Sequence, residues 1–344
     1  MFDLNENPSD IERGMNDNTL LVAYADAQSL LARIEERQRL SPVRRPWGIR
    51  RFITERQSLA WIDATAIDAD AFTVDGRGHV SGADFDLTHW RRAIGAPVTL
   101  DMIRSDSAGL LDWLGVEDAT VAATPWAAPA LPLSDIRIRV EAWQKAVATL
   151  PPSPPLLYGA RLAQSWWSRT PIGRGDAVAS FLIGDRFGPG RFDVSSGGLV
   201  ALGFQLNGTA WKIADPDRYD RLWLRAIADG ARHLLDQELR LRSYAHRTAA
   251  HIANRRRPGR LKEVVMLAMA HPHIGSRLVA DRLDITSAGA IKLLTIATEA
   301  GLLVERSGQA SYRTYSIPVS NLPSTSSISD PLTDPQMHDF WSEA

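Results

Sequence analysis

Between Arg240 and Lys262 the chain carries Arg240, Arg242, Arg247, Arg255, Arg256, Arg257, Arg260 and Lys262 without one Asp or Glu. Such a run is the electrostatic footprint of phosphate contacts, which dominate nucleic-acid affinity and make it salt-dependent. Taken alone it is also what a solvated helix and linker looks like. Downstream, Ser287, Ala288, Gly289, Ile291, Lys292 and Thr295 are spaced to share the outward face of one helix, and Arg306 and Arg313 follow on two strand-like runs. The helix face offers a cation and two hydroxyls but no Arg, Asn or Gln for bidentate base contacts, so direct readout from it is modest. Arg306 and Arg313 can hold phosphates or enter a minor groove, which leaves much of the discrimination to DNA shape or to the spacing of dimeric half-sites.

The elements needed to position these residues are legible. An apolar-periodic helix through Val279, Ala280 and Leu283 runs into a tight turn, and Thr286 is a natural N-cap for a second helix through Ile291, Leu294 and Ala297. Gly301 stands where a C-terminal glycine stop belongs. Strand-like runs at 302–305 and 311–317 are joined by Ser307-Gly308-Gln309. Helix, turn, helix and hairpin in that order predict a winged helix, whose usual use is to lay its second helix in the DNA major groove. The alternative use is contact with another protein.

Other chemistry is thinner. With no cysteine in 344 residues, disulfides, thiolate nucleophiles and Cys-based zinc sites are excluded. His271-Pro272-His273 has a chelating look, but its place just before the first helix of the motif favours capping or packing. Ser195-Ser196-Gly197-Gly198 lacks the surroundings of a nucleophile elbow. Thr170-Pro171-Ile172-Gly173-Arg174-Gly175-Asp176 is the best phosphate candidate: Gly173 and Gly175 allow close backbone approach, a helix begins beside them, and Arg174 adds charge. The same composition also serves a tight helix–helix connection. No Asp or Glu falls in an acid–base or metal-ligand spacing, so no catalytic residue, metal or cofactor is expected.

The formal net charge of −1 conceals acids concentrated toward the N-terminus and bases at 240–262. The chain lacks a long apolar span and a signal-peptide pattern, from which a cytoplasmic protein is expected. Eleven tryptophans are read as core aromatics, Trp166, Trp167, Trp211 and Trp223 among them. The expected fold class is mainly α. Its parts are a flexible N-terminus at 1–17, an N-terminal helical region at 18–150, a helical core at 151–250, a winged helix-turn-helix at 251–318 and a disordered tail at 319–344. Within them, helices are expected at 18–39, 49–66, 84–95, 100–114, 135–150 with Ser134 as cap, 156–168 and 177–187, and a helical hairpin at 217–250.

The helical segments at 156–187 and 217–242, together with the winged helix, resemble a group of proteins from plasmids and mobile elements of soil bacteria whose central region is a degenerate relative of the Fic/DOC fold. In Fic enzymes a His-Pro-Phe-x-x-Gly-Asn-Gly-Arg loop joins two helices; its histidine accepts the target hydroxyl's proton, and its glycines and arginine hold nucleotide phosphates. Here residues 170–176 occupy the corresponding place, with Thr170 where the histidine would be. An unactivated hydroxyl is not a general base near neutral pH. The resemblance therefore implies a DNA-binding regulator of transcription or of a mobile element, not a nucleotidyltransferase. Its helical domain is expected to form a homodimer that sets half-site spacing, or to sense an effector. A protein-interaction scaffold is the first alternative and a nucleotide-binding Fic-related enzyme the second.

Overall fold

The structure, a computed structural model, describes residues 8–64, 67, 72–74, 80–81, 98–116, 131–192, 195–208, 211, 215–255, 259–307 and 313–318. In chain order come α1 (Pro8–Leu40), α2 (Arg44–Ile62), the strands β1 (Thr73–Val74) and β2 (Val80–Ser81), α3 (Leu100–Ser105), α4 (Ser107–Leu114), α5 (Leu133–Ala148), α6 (Pro155–Trp167) and α7 (Asp176–Phe187). A 3-10 turn at Pro189–Phe192 precedes α8 (Leu199–Asn207), α9 (Pro216–Ala253), α10 (Leu261–Ala270), β3 (Ile274–Gly275), α11 (Ser276–Leu283), α12 (Ser287–Glu299), β4 (Val304–Glu305) and β5 (Thr314–Ser316). The protein is thus mainly helical, with an antiparallel β1–β2 ribbon and a three-stranded antiparallel sheet of order β3-β5-β4.

Two compact units result, and neither is contiguous in sequence: Met1–Arg33, Glu55–Ile67 and Asp84–Arg232 form one, and Ile34–Thr54, Asp68–Ala83 and His233–Ala344 the other. The division falls inside α1, α2 and α9, each of which supplies residues to both.

The first unit is built around α7, whose residues from Asp176 to Asp185 are all buried. Small residues let the helices close on it. A Cβ on Gly184 would stand 2.6 Å from the Trp223 ring and 2.7 Å from the Gly159 carbonyl, so α6 and α7 touch backbone to backbone. Aromatic rings fill the remaining space: Phe181 lies 4.9 Å from Trp211 and 5.6 Å from both Phe204 and Trp223, and Trp143 meets Trp166 edge-on at 4.9 Å. Trp166, Trp211 and Trp223 are buried, as expected of core aromatics, and Trp167 is half-buried.

Several boundaries differ from the sequence expectation. α1 starts at Pro8, inside the stretch expected to be flexible, because Pro is tolerated in a first helical turn and nothing from Ser9 to Asn18 breaks the helix. α2 starts at Arg44, ahead of the expected start at residue 49, with Pro46 in its first turn where a missing N–H costs nothing. Ser134 does not cap α5: Pro132 holds that place without a side-chain bond, and the Ser134 hydroxyl donates to Asp135. The expected hairpin at 217–250 is one uninterrupted helix, α9. Gly230 does not break it, because the missing side chain lets α9 press on the Leu199 carbonyl of α8. α8 itself, an apolar run too short to show a period, was not expected. The expected helix at 84–95, the turn at Asp75–Gly78 and the tail at 319–344 lie outside the described residues.

In the second unit α2 and α9 support α10. Trp47 Nε1 donates to the Leu234 carbonyl at 2.9 Å, and Ser41 Oγ donates to Glu238 at 2.6 Å. The C-terminus of α10 is held by Arg50, whose guanidinium donates to the carbonyls of Met269 (2.6 Å), Ala268 (2.9 Å) and His271 (2.8 Å). These carbonyls have no helical N–H partner beyond the helix end, so a cation there answers both their hydrogen-bonding need and the helix dipole.

Candidate nucleic-acid interface

The core beneath α11 and α12 is formed by Val264, Val265, Ala268 and Met269 of α10 with Val279, Ala280, Leu283, Ala290, Leu294 and Ala297, all buried. Between the two helices the chain turns at Asp284, a non-glycine residue at φ 49 that ends α11 in the left-handed region. Asp tolerates that conformation better than most side chains. Two residues later Thr286 is extended (φ −67, ψ 153) and its hydroxyl accepts the Gly289 N–H at 3.2 Å, the N-cap expected from sequence. At the other end Gly301 has φ 68, with its N–H on the Thr298 carbonyl and the Leu302 N–H on the Ala297 carbonyl, both at 2.9 Å. That is a complete glycine C-cap, and both ends of α12 are therefore fixed by named residues.

Of the residues expected on the outward face of α12, Ser287, Ala288, Ile291, Lys292 and Thr295 are exposed and Gly289 is half-buried. Ile291 is 53% exposed, high for so large an apolar side chain. Thr295 Oγ1 donates to the Ile291 carbonyl at 3.0 Å, so its proton is engaged within the helix.

The strands return as expected, β4 against β5 with Val304 opposite Ser316 and Glu305 opposite Tyr315. β3 adds a third strand, Ile274 opposite Tyr315, which two residues of sequence could not announce. The turn centre at 308–312 lies outside the described residues. Arg306 and Arg313 are both exposed. Arg306 Nε donates to Ser316 Oγ at 2.8 Å, and Arg313 pairs with Glu305 at 3.5 Å across the hairpin.

The basic run is less uniform than its composition implied. Arg240 to Ala253 belong to α9, which runs past the expected helix end at 250 into the start of the expected linker. Arg240 pairs with Asp236 at 2.7 Å, and Arg242 lies buried against Glu238 at 3.2 Å. The acids stand one helical turn upstream of the run, which is why counting from Arg240 missed them. Arg260 pairs with Glu263 at 3.3 Å and donates to the Leu283 carbonyl, closing the C-terminus of α11 onto the start of α10. Arg247 is exposed and Arg255 half-buried, whereas Arg256 and Arg257 lie outside the described residues.

His271 ends α10 and is buried, while His273 is exposed. Burial first, then the charges of Arg282 and Arg50, pull the His271 imidazole down to about 4. It is a neutral packing residue near pH 7, and Arg50 and Arg282, which add to the effect of burial, carried no signal in sequence.

In the first unit the loop around Gly173, Arg174 and Gly175 has the expected left-handed glycines (φ 81 and φ 71), with Thr170 also at positive φ. Two of its backbone N–H groups are taken from within the chain. The Asp176 carboxylate accepts from Ile172 N at 3.1 Å, Gly173 N at 2.7 Å and Trp166 Nε1 at 2.9 Å. Burial raises the Asp176 pKa, and the bonds from Ile172, Gly173 and Trp166 oppose that rise. The segment Ser195–Gly198 is likewise wrapped around an internal carboxylate. Glu55 Oε2 accepts from Ser196 N (2.6 Å), Ser196 Oγ (2.7 Å), Ser195 Oγ (3.2 Å) and Gly198 N (3.3 Å). No helix among the described residues is long and apolar enough to cross a membrane. No protein-family model matches the chain, and no curated protein matches it.

Proposed function

We propose that the protein is a cytoplasmic DNA-binding regulator whose residues 261–317 act as a winged helix, α12 entering the major groove and the β4–β5 hairpin serving as the wing. The observation that carries this is α12 itself: a helix capped at both ends by Thr286 and Gly301 that presents Ser287, Ala288, Ile291, Lys292 and Thr295 to solvent with no acid from Ile285 to Thr298. Lys292 and Arg313 supply phosphate contacts, the latter by exchanging Glu305 for a phosphate at the hairpin edge. Arg247 and Arg255 add to the same electrostatic field. The helical unit around α7 supports the finer reading of a Fic-like core through its α6–loop–α7 arrangement, and the Asp176 carboxylate in that loop favours a structural role over nucleotide chemistry. A homodimer, with half-sites one helical turn of DNA apart or a multiple of it, completes the reading.

The test is retention of genomic DNA fragments by the purified protein at two salt concentrations, followed by sequencing. Enrichment of one short palindrome that survives the higher salt is the expected result, and Arg313→Ala should lower the salt slope by about one ion. A protein-interaction scaffold is favoured instead by the exposed Leu21 and Val22 of α1 and Ile138 of α5. Absence of DNA retention at either salt would decide for it.

A further inference from the structure

The outward face of α12 is unusual in what it lacks. It carries no planar donor–acceptor pair of the kind that reads guanine or adenine edges, and the hydroxyl proton of Thr295 is engaged by the Ile291 carbonyl at 3.0 Å. What is exposed on consecutive turns is a set of methyl-bearing residues: Ala288, Ile291 at 53% exposure and Thr295, with Lys292 beside them. Ile291 stands outside the inner face of α12, which is closed by Ala290, Leu294 and Ala297. In the major groove the one apolar group displayed by a base pair is the thymine C5-methyl, and Ala, Thr and larger apolar side chains are its natural contacts.

We infer that α12 selects its DNA by thymine methyl groups, with Ile291 as the central contact and Ala288 and Thr295 flanking it. The inference rests on reading α12 as the major-groove helix. A face of methyl-bearing residues and one lysine, whose one acid, Glu299, stands at its far C-terminal end, suits a polyanion studded with methyls. Ser287, at the first turn of α12, is placed to bond a phosphate or a base acceptor while the methyl contacts set the sequence.

The experiment selects binding fragments from a random duplex pool and then amplifies the retained sequences with either thymidine or deoxyuridine triphosphate, which deletes every C5-methyl while keeping the hydrogen-bonding edges. Wild-type protein should bind the uracil DNA at least about fourfold more weakly, the ratio expected for one methyl-sized apolar contact. Ile291→Ala should bind thymine DNA more weakly by a similar factor and lose most of the thymine–uracil difference, with an unchanged unfolding midpoint because the side chain is mostly outside the core. Equal wild-type affinity for the two DNAs overturns the inference while leaving DNA binding intact. So does a uracil penalty that Ile291→Ala leaves at full size. Failure to bind any DNA overturns the function beneath it.

Discussion

His271 makes the stability of the second unit depend on pH in a window that can be stated beforehand. Its imidazole sits at about 4 in the folded protein against about 6.5 when unfolded, because burial and the charges of Arg282 and Arg50 disfavour the protonated form. A group whose folded pKa is depressed contributes stability that is present above the unfolded pKa and is lost as pH falls through the folded one. Between these values the unfolded chain binds the proton and the folded chain does not. From about pH 7 to about pH 5 the linkage amounts to about 2 kcal/mol, and the full shift to about 3 kcal/mol. The assay is urea unfolding of wild type and His271→Phe across this range, followed by a tryptophan or amide probe. The chain has other histidines, so the informative quantity is the difference between the two proteins' pH profiles, which should open by about 2 kcal/mol by about pH 5. Parallel profiles would refute the placement of His271 as a buried neutral residue.

Arg50→Lys should destabilise the second unit by about 2–3 kcal/mol, because a lysine ammonium cannot span the carbonyls of Met269, Ala268 and His271 that one guanidinium now serves. Faster amide exchange at the end of α10 would accompany the loss, and an unchanged urea midpoint would contradict it. Asp176→Asn keeps an acceptor for Ile172 and Trp166 but turns an NH2 group toward the Gly173 N–H, so a loss of about 2 kcal/mol in urea unfolding is expected. Wild-type stability in that variant would mean that the loop does not depend on the carboxylate.

What the sequence made legible was governed by local chemistry. Thr286, Gly301 and the strand pair flanking Ser307 each act over a few residues, and α12 and the β4–β5 hairpin appear where those signals place them. The same holds for the proline-bounded α6 and for the buried tryptophans. What was missed depends on partners distant in sequence. Nothing near Arg50 reveals that it ends a helix more than two hundred residues away, at Met269. The charge run at 240–262 looked uniformly available because its acids, Asp236 and Glu238, lie just outside it on the same helix. Nothing in the sequence around Gly230 announces that it is a packing position, which only the approach of α8 shows.

The two glycine-containing loops of the first unit bear on function in the same way. A nest of N–H groups at the start of a helix is a general anion site, and both nests here already hold a carboxylate from the chain itself, Asp176 at α7 and Glu55 at α8. A tethered carboxylate acts at an effective concentration of millimolar or more, so an outside phosphate must outcompete it at that level. Winning would also strand a buried acid: Asp176 would leave the donors that offset its desolvation, and burying an unpaired charge costs several kcal/mol. In the loop that most resembles a nucleotide cradle in sequence, the Ile172 and Gly173 N–H groups are therefore already engaged by the residue at its own end. Glycine and helix dipole serve here to hold α6 to α7 and α2 to α8.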